Sequence, residues 1–287
     1  MFNQILISAV ALGAVYALIA VGFTIVFATK RLVNFAHGEF VMMGGILSVV
    51  FYQFGLPLVP AMVLAVLAVG VAAAAIYLIV VDIKTEDTLS QVMITLGLAI
   101  AIKGAVEMTA GKSPMFLPAL SSAATWSVGG LFINPQAVWL MLALILASLG
   151  LAALLRWTWL GVSMRAVAEN NYASILMGMS PRRIGAASFV LAGVLGALAG
   201  SLLTPIASTA YDNGLFLGLK GFAAAILGGM GSPLGAVLGG LLLGLCEAFS
   251  AGYISSAYKD AITLSMLFVV LMFFPQGIFG GKAIRKL

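Results

Sequence analysis

Apolar runs of the length that crosses a bilayer as a helix, about 20 residues, recur along the whole chain, parted by short polar breaks. The pattern predicts spans at 5–29, 39–54, 60–81, 90–110, 137–156, 185–205, 215–230, 234–251 and 260–280. The second and seventh are short and lie next to Gly-rich or polar breaks. One long polar stretch, Gly161 to Ile184, stands between the two apolar halves; it carries Arg165, Arg182, Arg183 and Glu169, with Arg156 just upstream. The expected fold is all-α: a polytopic transmembrane helical domain over 1–287, with about 8–9 spans, discontinuous helices and a polar loop at 157–184. Reading 215–250 as one span gives eight helices and as two gives nine.

Composition and charge fix the solvent and the sidedness. The 287 residues are 63% hydrophobic and only 8% charged, against roughly 25% charged in a soluble domain. Such a chain cannot cover a globular surface with polar groups, so lipid must cover it. The net charge of +5 is no nucleic-acid signal, because the cations sit at span ends and form no patch. Cytoplasmic loops carry the excess of Lys and Arg. With 157–184 inside, the N-terminus is outside and the C-terminus inside. Lys30, Arg31, Lys84, Arg156, Arg165, Arg182, Arg183, Lys282, Arg285 and Lys286 then face the cytoplasm, ten of the fourteen cations. A single span over 215–250 would put the C-terminal cations outside, so two are preferred. The MFNQ start has no Lys or Arg and the apolar run from Ile5 is too long for a signal-peptide core, so span one is expected to be retained. Cys246 is the only cysteine, which excludes an intrachain disulfide.

Glycine is abundant, at 33 residues. Gly240, Gly244, Ala248 and Gly252 recur every four residues, as do Gly231, Gly235 and Gly239, and Gly196 and Gly200 repeat the spacing. In lipid such faces let backbones approach closely. Helix packing inside one subunit is the plain reading; a seam with a related subunit is the other. Asn34, His37 and Glu39 cluster where spans one and two meet. A lone His between helices is often a solvated loop residue. Yet this junction is short and flanked by Phe35, Ala36 and Phe40, and broken backbone at depth lines cavities in transporters. Further out, Lys103 and Glu107 sit four apart, in the spacing of a local ion pair beside a snorkelling lysine. Glu247 has no partner visible in the sequence and reads as solvated at the interface.

Between Gly161 and Gly178 the periodicity is helical. Val162, Ala166, Ala173, Leu176 and Met177 share one stripe, with Glu169 in its middle and Arg165 on its border. Arg165 precedes Glu169 by four residues and is spaced to pair with it. The alternatives are an interfacial helix with a solvated Glu169 and a docking helix whose Glu169 meets a partner's cation. The run Gly161, Arg165, Ala166, Glu169, Asn170, Ala173 and Gly178 resembles the EAA-type loop of bacterial ABC importer permeases. Three further stretches resemble one branch of it, the H-type (LivH-like) permeases of Liv-type branched-chain amino-acid importers. These are LVNFAHGEF with MMGG at 32–45, the glycine-rich LKGFAAAILGGMGSPLGAVLGGLLLGLCE at 219–247, and PQGIFG at 275–280. They run in the family's order across most of the chain. Two positions depart from it: Phe274, where a basic residue often stands, and Gly221, where a small Ala is usual.

The resemblance implies an inner-membrane, multi-pass transport subunit for leucine, isoleucine or valine. It implies a second related permease, two cytoplasmic ATPases that hold ATP and Mg, and an extracytoplasmic binding protein. It places the loop from Gly161 to Gly178 in a cleft of an ATPase, and it supports a pathway role for Asn34, His37 and Glu39. The chain itself is expected to bind no cofactor, metal or nucleic acid and to have no catalytic residue. No G-x-x-x-x-G-K-[ST] run occurs, since Val106 stands where the first glycine preceding Lys112 would be. One His and one Cys make no ordinary zinc site. The alternatives are a urea or short-amide permease of the same class, and a secondary carrier or channel using His37 and Glu39 for proton coupling.

Overall fold

A computed structural model describes residues 2–81, 88–121, 125–128, 131–274 and 276–279. Of the cations placed inside above, Lys84, Lys282, Arg285 and Lys286 lie outside the described residues, as do Pro275 and Gly280 of the C-terminal motif. In chain order come α1 (Phe2–Lys30), α2 (His37–Gln53), α3 (Leu58–Ile76), α4 (Thr88–Ala110), the strands β1 (Trp126–Val128) and β2 (Leu131–Ile133), α5 (Pro135–Trp157), α6 (Trp159–Glu169), α7 (Asn171–Leu176), α8 (Pro181–Leu203), α9 (Asn213–Gly228), α10 (Pro233–Phe249) and α11 (Lys259–Phe273). α3 and α10 run on into π-helical turns, Tyr77–Val81 and Ser250–Ile254. The strands form one short antiparallel hairpin in the loop before α5. The segment 215–250 is two helices, parted by the turn at Gly229–Ser232, where Gly229 and Gly231 hold φ of 93° and 101°.

Three long helices start the same way. Asn134, Ser180 and Ser232 each precede a proline and accept a backbone N–H two or three residues on: Gln136 at 2.9 Å, Arg183 at 3.4 Å and Gly235 at 3.1 Å. A side-chain cap answers one of the free donors, and proline at the first helical position lacks a donor to strand.

Among the described residues, six helices are long and apolar enough to cross a membrane, and they divide by burial. α1 and α8 are 61% buried and α10 50% buried over their most apolar stretch, whereas α3, α4 and α5 are 28%, 11% and 17% buried. The first three form the centre and the others offer apolar faces outward. α1 is buried nearly all round from Gly13 to Val26. Glycine makes this possible. A Cβ at Gly240 would overlap the backbone of Ala17, and one at Gly244 the backbone of Gly13. A Cβ at Gly200 would overlap the Val41 carbonyl of α2, and one at Gly196 would press on His37. Gly235 and Gly239 instead face α9, at Gly228 and Ala224. α10 therefore has two glycine faces, one for α1 and one for α9, both packed inside this subunit.

Candidate functional site

Two regions gather the polar residues singled out above. The first is the start of α2. His37 Nε2 lies 3.1 Å from the carbonyl of Ile19, eleven residues before the end of α1. At 1.5 Å per residue, α2 begins about 16 Å above that end, near the middle of a hydrocarbon core about 30 Å thick. After α1 ends, the non-helical segment 31–36 brings the chain back to half depth, and α2 carries it on in the same direction alongside α8. Asn34 shapes the turn: its Oδ1 accepts the Ala36 N–H at 3.1 Å, and its carbonyl accepts the His37 N–H at 3.2 Å. The Phe35 N–H reaches Thr95 Oγ1 on α4 at 3.3 Å. The His37 ring meets Phe23 edge-on, with centroids 4.6 Å apart, and fills the space left by Gly22.

Asn34, His37 and Glu39 are 1%, 1% and 3% exposed. Among the described residues, Asn34 Nδ2, His37 Nδ1 and Glu39 Oε2 are buried without a hydrogen-bond partner. A buried polar atom left so costs about 1–3 kcal/mol. Glu39 lies in the first turn of α2, and its carboxylate lies against Gly214 in the first turn of α9, where a Cβ would come within 2.5 Å of Oε2. Gly38 packs beside Gly214 and Gly218. Two helix N-termini, each with partial positive charge, thus converge on one carboxylate.

The ionisable residues nearer the outer side pair differently from their spacing. Glu107 binds Lys112 at 2.9 Å, and Lys103 lies over the Tyr211 ring, 5.3 Å from its centroid. The i,i+4 pair of Lys103 and Glu107 does not form, because an aromatic face and a loop cation offer each side chain another partner. Glu107 raises the affinity of Lys112 for its proton above that of an ordinary lysine. Glu247 is not solvated: it is 1% exposed and accepts from Tyr16 at 2.7 Å and from Lys220 at 2.9 Å, with Lys259 at 3.3 Å. Lys220 also reaches Asp260 at 2.7 Å. The four charges sum to zero and join α9, α10 and α11, with Tyr16 adding α1. Sequence reading misses this group because its members sit on four different helices, beyond the reach of any spacing along one of them.

The second region is the loop 157–184. It holds two helices, α6 and α7, broken at Asn170, whose extended backbone (φ −150°, ψ 102°) lets its side chain cap α7 by accepting the Ala173 N–H at 2.9 Å. Thr158 caps α6 at Gly161 N–H, 3.2 Å, and Gly161 packs on the Leu155 backbone. Gly178, with φ 78°, ends α7. The face of α6 turned inward is Gly161, Ser163, Met164 and Val167, next to the stripe read from the sequence. Glu169 and Ala173 are exposed and Ala166 is half-buried. Arg165 donates to the Leu155 carbonyl and makes no ion pair with Glu169 among the described residues. Docking of α6 on the end of α5 draws the guanidinium there. Trp157, Trp159, Tyr172, Leu176 and Met177 are each at least 74% exposed, an apolar and aromatic ledge from the end of α5 to the end of α7. Among the described residues no group of three His, Cys, Asp or Glu could hold a metal.

A model of the family described as "Branched-chain amino acid transport system / permease component" matches residues 5–271. The chain is 32% identical to the high-affinity branched-chain amino acid transport system permease protein LivH of Escherichia coli, over 99% of this chain and 97% of that one. It is 31% identical to the corresponding permease protein BraD of Pseudomonas aeruginosa, over 99% and 98%. It is 27% identical to a probable LivH of Methanocaldococcus jannaschii, over 97% and 92%.

Proposed function

The chain belongs to the family of permease components of branched-chain amino acid transport systems, and from that membership we propose that it is the membrane-spanning subunit of an ABC importer for leucine, isoleucine and valine. Near-complete coverage of the LivH and BraD relatives at both ends carries the reading. The geometry supports it. The exposed ledge of α6 and α7 is a docking surface for a cytoplasmic ATPase, with Gly161, Arg165 and Asn170 fixing its shape and Glu169, Ala166 and Ala173 on its open side. Gly178 closes it. Asn34, His37 and Glu39 line the pathway at half depth, where broken helices form transporter sites. A second permease, two ATPases with ATP and Mg, and a solute-binding protein complete the assembly in a bacterial inner membrane, with the N-terminus outside and the ledge inside. ATP-driven closure of the ATPases biases the permease between its two facing states through contacts that differ between them.

The test is purification of the tagged chain with identification of the proteins it brings down, followed by uptake in proteoliposomes. Leucine uptake that requires ATP, both ATPases and the binding protein is the expected outcome. Uptake by the chain alone on an ion gradient would point to a secondary carrier instead.

A further inference from the structure

Glu39 and Lys103 are opposite charges that face the same region without meeting. Glu39 is 3% exposed, with Oε2 unpartnered among the described residues. Lys103 is half-buried on α4 and held over the ring of Tyr211, three residues before the Gly214 that the Glu39 carboxylate lies against. No ion pair within 4.0 Å joins them or gives Lys103 another carboxylate among the described residues. A buried carboxylate without a bonded cation is costly, by several kcal/mol. The sequence has the means to avoid it, since the equally buried Glu247 is given two lysines and a tyrosine. Gly38, Gly214 and Gly218 let α2 and α9 pack backbone to backbone beside Glu39, so no side chain at these three positions answers its carboxylate.

We propose that Glu39 and Lys103 form a binding station for a zwitterionic amino acid, Glu39 taking the ammonium and Lys103 the carboxylate. The inference rests on the amino-acid importer reading and names the side chains that touch the substrate. A zwitterion supplies both missing partners at once and leaves the net charge unchanged. A neutral amide such as urea supplies neither. The two helix N-termini at Glu39 favour negative charge there, which suits the carboxylate to an ammonium partner. The Tyr211 face holds the Lys103 ammonium by cation–π attraction without neutralising it, so it remains available to a carboxylate.

The experiment uses the complete importer in nanodiscs and proteoliposomes. Cys246→Ser with Ala210→Cys supplies one thiol next to Tyr211. Leucine, leucinamide (no carboxylate) and 4-methylpentanoate (no ammonium) are compared for protection of that thiol from a small polar reagent. Leucine should protect best in the otherwise unaltered protein. In Lys103→Gln, leucinamide should protect as well as leucine; in Glu39→Gln, 4-methylpentanoate should. Leucine uptake should fall about thirty-fold in each at unchanged assembly, while Lys112→Gln transports normally. A merely structural role would lower uptake without exchanging which analogue protects. Protection that ignores both substitutions, or normal leucine uptake by Glu39→Gln and Lys103→Gln, overturns the proposal and leaves the importer reading standing. If the unaltered assembly carries no leucine, the substrate reading fails, and the station with it.

Discussion

At the scale of single residues, cost decides what the structure keeps. Lys220 bridges Glu247 and Asp260 at 2.9 and 2.7 Å. Replacing it with methionine strands a carboxylate that is 1% exposed, and breaking such a buried pair costs about 3–5 kcal/mol. Lys259, at 3.3 Å, offsets part of that, so Lys220→Met should lower stability by about 3 kcal/mol. The thermal midpoint in detergent should drop clearly, and Lys220→Met with Glu247→Leu should recover part of the loss. Superimposable melting curves would mean the cluster adds no stability. Gly244 offers a steric counterpart: a leucine there would collide with the Gly13 backbone, and overpacking costs about 1–3 kcal/mol or more. Gly244→Leu should reduce the yield of folded protein, whereas Asn213→Ala, which loses one bond to the Ser208 carbonyl, should not.

Helices and loops show where sequence is informative and where it is silent. Glu169→Lys should abolish copurification of the ATPases and substrate uptake while membrane insertion stays intact, because the residue is exposed at the end of α6, beside the break to α7. Normal uptake at normal expression would remove α6 and α7 from the coupling role. The apolar runs gave the long helices because hydropathy is a local property. The Asn-Pro and Ser-Pro starts of α5, α8 and α10 go unread, so the spans predicted there start one to four residues late. Hydropathy is blind to depth, so it could not show that α2 starts halfway through the bilayer; that follows from the Ile19 carbonyl meeting His37. Spacing misled at Arg165 with Glu169 and at Lys103 with Glu107. In both, a partner from outside the helix wins: the Leu155 carbonyl, Tyr211 or Lys112. Continuity of the 161–178 helix was also overestimated, since an Asn both ends α6 and starts α7.

For the molecule as a whole, the burial of α1 has a consequence in time. Its closest packing partner, α10, begins at Pro233. Translation at about 5–20 residues per second puts the roughly 200 intervening residues about 10–40 s behind it. Throughout that interval the Gly13, Ala17 and Ala9 face, later covered by Gly240 and Gly244, must rest against lipid or a biogenesis factor. A chain stopped after Leu203 keeps that face bare for good. Pulse-chase labelling should find it degraded several times faster than the full chain, and coexpressed 204–287 should restore its lifetime; equal half-lives would show that α1 waits at no cost. The centre of this protein is thus the part made first and finished last, which exposes it longest to membrane quality control.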